Sequence, residues 1–153
     1  AERIGATIAS SIIGAVRNAR VKYEALGQLK LARKRLVLPV ANEELIQAVE
    51  RGVVRRRIVE PSSVETEVNF LEIEPFVQLV TLPGEPLPKV GFKAKSLMTK
   101  RYRFLVGLGN DEVGYIIDLE DWSPRKYEES MSLGPLTAEI LLSTIAELAN
   151  AYH

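Results

Sequence analysis

Apolar residues recur at helical spacing at both ends of the chain. Near the N-terminal end, Ile4, Ile8, Ile12 and Val16 follow one another every four residues, which predicts one face of an amphipathic helix. Near the other end Gly134-Pro135 precedes a second stripe, formed by Leu136, Ile140, Leu141, Ile145, Leu148 and Tyr152. Because proline is favoured in the first turn of a helix, this pattern predicts a C-terminal helix that begins there.

The middle of the chain has shorter apolar patterns that predict β-strands. Apolar and polar residues alternate over 29–38 and mostly over 64–74, whereas 76–82 and 104–108 are nearly continuous apolar runs. We expect the basic run Arg33-Lys34-Arg35 to break the first strand, and Asn42 to cap a short helix that ends at Gly52. These elements predict an α/β (α+β) fold of mixed β-sheet layers flanked by helices, including a long N-terminal helix and a C-terminal helix.

The composition indicates one ordinary folded domain spanning 1–153. Of 153 residues, 46% are hydrophobic and 26% charged, and 20 Lys and Arg balance 20 Asp and Glu. A chain of this length buries enough surface for one core. The absence of Cys excludes a disulfide framework, a Cys nucleophile and Cys metal ligands. The single His is His153, which argues against a Ser-His-Asp triad or a two-His zinc site within this chain.

No segment has the pattern of a transmembrane helix or a signal peptide. The longest uncharged stretch, from Ile4 to Val16, has 13 residues, whereas a membrane-spanning helix needs about 20. Arg17-Asn18-Ala19-Arg20 follows where a signal peptide would have a small-residue cleavage site. The absence of Cys among abundant charged residues favours a cytoplasmic protein.

Positive charge is concentrated between Lys30 and Arg57. This window contains eight basic residues and three acidic ones, so the remainder of the chain is net acidic. The window is either a solvated face paired with acidic residues or a contact surface for a partner. Aromatic residues do not interleave with the arginines, so we expect no nucleic-acid binding.

Two short motifs contain residues suited to chemistry. Gly107-Leu108-Gly109 does not complete a dinucleotide-binding motif, because Glu112 stands where its third glycine would be. In Pro83-Gly84-Glu85-Pro86, a carboxylate follows a predicted buried strand and is fixed between two prolines. This position suits a general base or a metal ligand, although a solvated turn glutamate is the alternative. Tyr115 on a later strand would by itself be a core or interface residue.

Taken together, these motifs resemble the neutral/alkaline (non-lysosomal) ceramidase family. The resemblance rests on Pro83-Gly84-Glu85, on 107–117, on Tyr127-Glu128 and on Gly134-Pro135, in this order. It implies that the chain is the C-terminal part of a larger ceramidase-like catalytic domain. Family members are zinc-dependent amidases that hydrolyse the N-acyl bond of ceramide.

The resemblance also implies roles for three residues. Glu85 and Tyr115 match the family's zinc ligands, and Tyr127 matches a tyrosine of the active site that stabilises the transition state. The histidine ligands of the family lie upstream of this chain, so zinc is expected only if an N-terminal half supplies them, and no cofactor is expected for the isolated chain. Glu129-Ser130-Met131 departs from the family's Gly-Ala-Ser, so specificity for ceramide does not follow.

Two functions from different classes therefore remain open. In the first, the chain is the C-terminal part of a zinc-dependent amidohydrolase and is not catalytically complete alone. Its protein partner is then the N-terminal half of the same protein or a self-association partner. Its substrate is an amide-containing small molecule or lipid. The alternative is a non-catalytic interaction module that retains the fold and uses the basic window from Lys30 to Arg57. Binding of anionic lipid or nucleic acid by the same residues is a weaker third hypothesis.

Overall fold

The computed structural model describes residues 2–19, 25–53, 62–124 and 126–151. It contains both helices and strands, with a long helix near each end. In chain order they are α1 (Glu2–Asn18), β1 (Leu29–Pro39), α2 (Glu43–Glu50), β2 (Ser63–Ile73), β3 (Val77–Thr81), β4 (Glu85–Pro86), α3 (Pro88–Ser96), β5 (Tyr102–Val106), β6 (Tyr115–Ile116), a 3₁₀ turn (Leu119–Asp121), α4 (Tyr127–Ser130) and α5 (Thr137–Asn150). The mixed α/β fold class predicted from the sequence is confirmed.

Four strands form the main sheet, in the order β1-β2-β3-β5. Strand β2 is antiparallel to both β1 and β3, and β5 runs parallel to β3. The expected break at Arg33-Lys34-Arg35 is wrong, because β1 pairs with β2 continuously from Leu29 to Pro39. Strand alternation separates these charges: Arg33 and Arg35 approach Glu67 on one face, while Lys34 on the other face pairs with Glu147 of α5.

One face of this sheet carries the hydrophobic core. Helices α3 and α5 pack against it, and the inward residues of β2 and β3, such as Val68, Phe70 and Val80, are fully buried. Leu141 and Ile145 of α5 are equally buried. The C-terminal stripe predicted from the sequence therefore packs as expected, except for Tyr152, which lies outside the described residues.

The opposite face of the sheet is apolar over part of its area, and this part has no layer over it among the described residues. The strand register aligns Leu29, Ile73, Val77 and Tyr102 in one row, and Leu31, Leu71, Leu79 and Phe104 in the next. Leu29 and Leu31 are 67% and 64% exposed, and Phe104 is 51% exposed. We call these two rows, together with Val106 (39% exposed), the bare sheet face.

Helix α1 confirms the predicted N-terminal helix, but none of its residues is buried. The side chains of its apolar stripe, Ile4, Ile8, Ile12 and Val16, are each more than half exposed. Within the described part of the chain, no helix is long and apolar enough to cross a membrane.

Candidate functional site

Two very short strands bring Glu85 and Tyr115 side by side. Strand β4 leaves the end of β3 through Pro83-Gly84, and it pairs in parallel with β6 so that Glu85 is the register partner of Tyr115. The Glu85 amide donates to the Gly114 carbonyl at 2.9 Å, and the Leu87 amide donates to the Ile116 carbonyl at 3.0 Å. The backbone thus fixes the carboxylate and the phenol on adjacent strands.

Two glycines allow this close approach. A Cβ atom on Gly84 would lie 2.4 Å from the Gly114 carbonyl oxygen. Gly114 has a φ of +82°, and a Cβ atom there would lie 1.8 Å from the Met131 carbonyl oxygen. Only glycine fits such contacts and such a backbone without strain. Gly114 is therefore needed for close packing between β6 and the segment after α4, and it is not part of a phosphate-binding loop.

Tyr127 joins the pair from α4. Its ring meets the Tyr115 ring edge to face, with centroids 6.0 Å apart and planes inclined at 65°. Glu85, Tyr115 and Tyr127 all line one cavity of about 540 Å³. The three residues predicted from the sequence therefore lie around the same cavity.

The remaining walls of this cavity are largely apolar. They include Leu45 and Ala48 of α2, together with Met131 and Leu133. Asn42 holds α2 beside the site: its Oδ1 accepts from the Leu45 amide, and its Nδ2 donates to the carbonyls of Ser130 and Ser132. The predicted N-cap is confirmed, but sequence patterns carried no signal that α2 would form a wall of the cavity, because that depends on contacts between distant segments.

The electrostatics of the site are dominated by the carboxylate. The negative charge of Glu85, followed by burial and the neighbouring Tyr127, raises the pKa of the Tyr115 phenol above its usual value. A phenolate beside a carboxylate is unfavourable because the two charges repel each other. A cation bound between the Glu85 carboxylate and the Tyr115 oxygen would instead lower the pKa of the phenol.

The donors of this chain fit part of a zinc site. A carboxylate and a phenol oxygen on paired strands are both suitable ligands, but a catalytic zinc needs about three from the protein. Within the described ranges, no group of three or more His, Cys, Asp or Glu residues could hold a metal ion. A complete site would need at least one further ligand besides Glu85 and Tyr115.

The basic window from Lys30 to Arg57 does not form one face among its described members. Lys30 pairs with Glu72 and Glu74, and Lys34 with Glu147, on the helix-covered side of the sheet. Arg33 and Arg35 lie near Glu67 on the other side. The window is therefore divided and partly neutralised, and Arg55, Arg56 and Arg57 lie outside the described residues.

Comparison with solved structures shows a ceramidase-like fold. The neutral ceramidase from Pseudomonas aeruginosa matches 58% of this chain with a TM-score of 0.54 and 18% sequence identity. A ceramidase complexed with C2 matches 60% of this chain with a TM-score of 0.53 and 19% identity. The match covers 15% of each of those chains. No family model and no curated protein matches the chain. The resemblance predicted from the sequence is confirmed as a likeness of fold.

Proposed function

We propose that this chain is the C-terminal part of a zinc-dependent amidohydrolase that resembles neutral ceramidase and cleaves N-acyl amides. The observation that carries the proposal is the convergence of Glu85, Tyr115 and Tyr127 on one cavity, with the first two as register partners. The ceramidase-like fold supports it. The apolar walls of the cavity are compatible with an amide that has a hydrocarbon portion.

The three residues would divide the work by their chemistry. Glu85 and Tyr115 would hold zinc through oxygen, and zinc, when bound, supplies a Lewis acid and an acidic water. Tyr127, whose side chain is exposed in the isolated chain, would donate its hydroxyl proton in a hydrogen bond to the oxyanion that develops on the amide carbonyl. The isolated chain would be inactive because it lacks the remaining ligands.

The missing ligands would come from an N-terminal part of the same protein, packed on the bare sheet face. Most of each matched ceramidase chain lies outside the match, and a sheet covered on one side only leaves its second apolar face to be buried by another layer. In this proposal, residues 1–153 form the C-terminal portion of a larger catalytic domain. A second copy of this chain on the same face is the alternative outcome of the test described in the Discussion.

The direct experiment uses the complete protein and measures its zinc content. Loss of an outer-shell partner lowers metal affinity by about 10–100-fold. Because Glu85→Gln and Tyr115→Phe each remove a direct ligand, each should lower zinc affinity by more than that. Tyr127→Phe should retain zinc and lower kcat for an N-acyl amide by about 10²–10³-fold, the effect of losing one oxyanion donor.

Glu139→Gln is the matched control, because this exposed residue of α5 lies outside the cavity and should change neither quantity. Unchanged zinc binding in both Glu85→Gln and Tyr115→Phe would refute the assignment of the ligands, whatever the activity.

A further inference from the structure

The main sheet ends in β1 on one side and in β5 on the other, and the outer edge of β1 is protected against pairing. At the end of β1 the Val40 amide donates to the Ser62 carbonyl of the neighbouring chain segment at 2.8 Å. The pairing with β2 is continuous, so alternation directs the backbone groups of Arg33, Arg35 and Pro39 to the outer side. Charged residues and proline are the devices by which native proteins keep an edge strand from pairing further.

The outer edge of β5 has free backbone groups as well. At one end of β5 the Tyr102 amide donates to the Phe76 carbonyl at 2.9 Å, and at the other end the Val106 carbonyl accepts from the segment after β3 at 2.8 Å. Because backbone groups point alternately to the two sides of a strand, Arg103 and Leu105 direct theirs away from β3. No described strand lies on that side.

The side chains of β5 do not block this edge. The Arg103 guanidinium donates to the Lys95 carbonyl at 3.2 Å, so its charge is held against α3. The other four residues of β5 are aromatic, leucine or valine, a composition typical of strands that pack against neighbours. Parallel strands are normally covered on both faces, whereas β5 is parallel to β3 and has the bare sheet face on one side. Strand β5 therefore has the character of an interior strand in an edge position.

This edge lies next to the segment that carries Glu85. Immediately after β5, the Leu108 amide donates to the Gly84 carbonyl at 2.9 Å. A Cβ atom on Gly107 would lie 2.9 Å from Cδ of Pro86. The chain leaving β5 thus contacts the residues on both sides of Glu85.

We propose that a strand from the N-terminal part of the complete protein pairs with the outer edge of β5 and extends the main sheet. This inference rests on the proposed function, in which residues 1–153 are the C-terminal portion of a larger catalytic domain. It adds backbone pairing to the face packing described there. An extended strand is the partner that fits, because the free groups of this edge are main-chain donors and acceptors.

Residue-resolved amide hydrogen exchange of the complete protein tests the pairing. The amides of Arg103 and Leu105 should exchange about 100-fold or more slowly than those of Arg33 and Arg35, because only the former gain a partner strand. The two β1 amides are the internal control, since they lie on the protected edge of the same sheet. Exchange of the Arg103 and Leu105 amides as fast as that of the control amides would overturn the proposal.

A matched pair of proline substitutions separates backbone pairing from burial of the sheet face. Arg103→Pro and Arg33→Pro each remove one outward N–H without taking a hydrogen bond from the existing sheet. In the complete protein Arg103→Pro should lower the urea midpoint more than Arg33→Pro does. Arg103→Ala, which keeps the N–H and loses the bond to Lys95, should lower it less than Arg103→Pro. Equal losses from the two proline variants would contradict the pairing; if Arg103→Pro does not fold, the exchange measurement on the unmodified protein decides.

The remaining outcomes distinguish this inference from its alternatives. If a second copy supplies the strand, protection of the Arg103 amide depends on protein concentration and Arg103→Pro yields monomers, which would overturn the assignment to the N-terminal part. Zinc content is a separate readout. Unchanged zinc binding in Glu85→Gln and Tyr115→Phe would refute the proposed ligands, while slow exchange at Arg103 and Leu105 would still show the added strand.

Discussion

Single residues control the geometry of the candidate site more through backbone than through side chains. Gly84 and Gly114 contribute no functional group, yet the contact between them sets the distance between β4 and β6. Gly114 also lets the Met131 carbonyl approach and accept from the Tyr115 amide at 3.0 Å. The positions of Glu85, Tyr115 and Tyr127 thus depend on two residues without side chains.

Replacement of Gly114 by Ala should destabilise the chain and disturb the site. The left-handed backbone alone costs an alanine about 1–2 kcal/mol, and displacement of the Met131 carbonyl adds to this. Urea unfolding followed by circular dichroism measures the loss.

Gly5→Ala is the matched control. Gly5 lies in α1 with nothing within 4 Å of an added Cβ, so the change should be neutral or stabilising by up to about 1 kcal/mol. Equal stability of the Gly114→Ala variant and the unmodified chain would mean that the site does not depend on this contact.

The sequence was enough to identify the main residues of the site, but not the contacts and burial of their side chains. Glu85, Tyr115 and Tyr127 were found by resemblance, and Asn42 by its capping position. No sequence pattern indicated that Glu129 is a buried carboxylate. Its burial depends on tertiary contacts that no local pattern records.

Among the elements, helix α3 is tied to the site by an ion cluster. Asp118, just after β6, contacts Lys93 at 2.5 Å and Lys89 at 3.3 Å, and its side chain is only 4% exposed. The hydrogen bond from Lys93 is the main reason that the pKa of Asp118 lies below its usual value. Because β4 leads into α3 and β6 leads into Asp118, the cluster holds the far ends of the two strands that position Glu85 and Tyr115.

Asp118→Asn should therefore lower the free energy of unfolding at neutral pH, and the loss should depend on pH. The folded-state pKa of Asp118 is depressed, so its carboxylate stabilises the fold above the unfolded value of about 3.9 and loses this effect as the pH falls through the folded value. The difference in free energy of unfolding between Asp118→Asn and the unmodified chain should become smaller below about pH 4. Urea titrations across this pH range measure it.

Glu120→Gln serves as the comparison, because Glu120 pairs with Lys89 but is 74% exposed. An exposed pair contributes about 0–1 kcal/mol, so this variant should lose less stability than Asp118→Asn. A difference for Asp118→Asn that stays the same at neutral and acidic pH would show that its charge is not the cause.

The longer elements were predictable and the shortest were not. The strands around 64–74, 76–82 and 104–108 and the two terminal helices follow from patterns of five or more residues. Strands β4 and β6 have two residues each, too few for any periodicity, and they exist because their partners are brought together. The break expected in β1 was wrong because charge alone does not end a strand when alternation sends it to both faces.

At the scale of the whole molecule, the chain has more apolar surface than its described layers cover. Helices α3 and α5 cover one side of the main sheet, while the bare sheet face and the stripe of α1 remain exposed. Exposed apolar patches of this extent are typical of surfaces that contact other protein.

A charge placed on the bare sheet face tests what covers it. Phe104→Glu is compared with Ser143→Glu, which adds the same charge at an exposed position of α5. If the face is an interface, the isolated chain should associate as its concentration rises and should bind an apolar dye. Phe104→Glu should reduce both effects, and Ser143→Glu neither. Sedimentation at several concentrations measures the association.

The same pair of variants in the complete protein separates the two candidate occupants. If an N-terminal part covers the face, Phe104→Glu should destabilise the complete protein by at least about 1.5–3 kcal/mol, the burial energy of a large apolar side chain, without changing its oligomeric state. If a second copy covers it, Phe104→Glu should dissociate the complete protein into monomers. If Phe104→Glu changes neither the stability nor the oligomeric state of the complete protein, the bare sheet face is exposed to solvent in that protein. No further layer would then cover it.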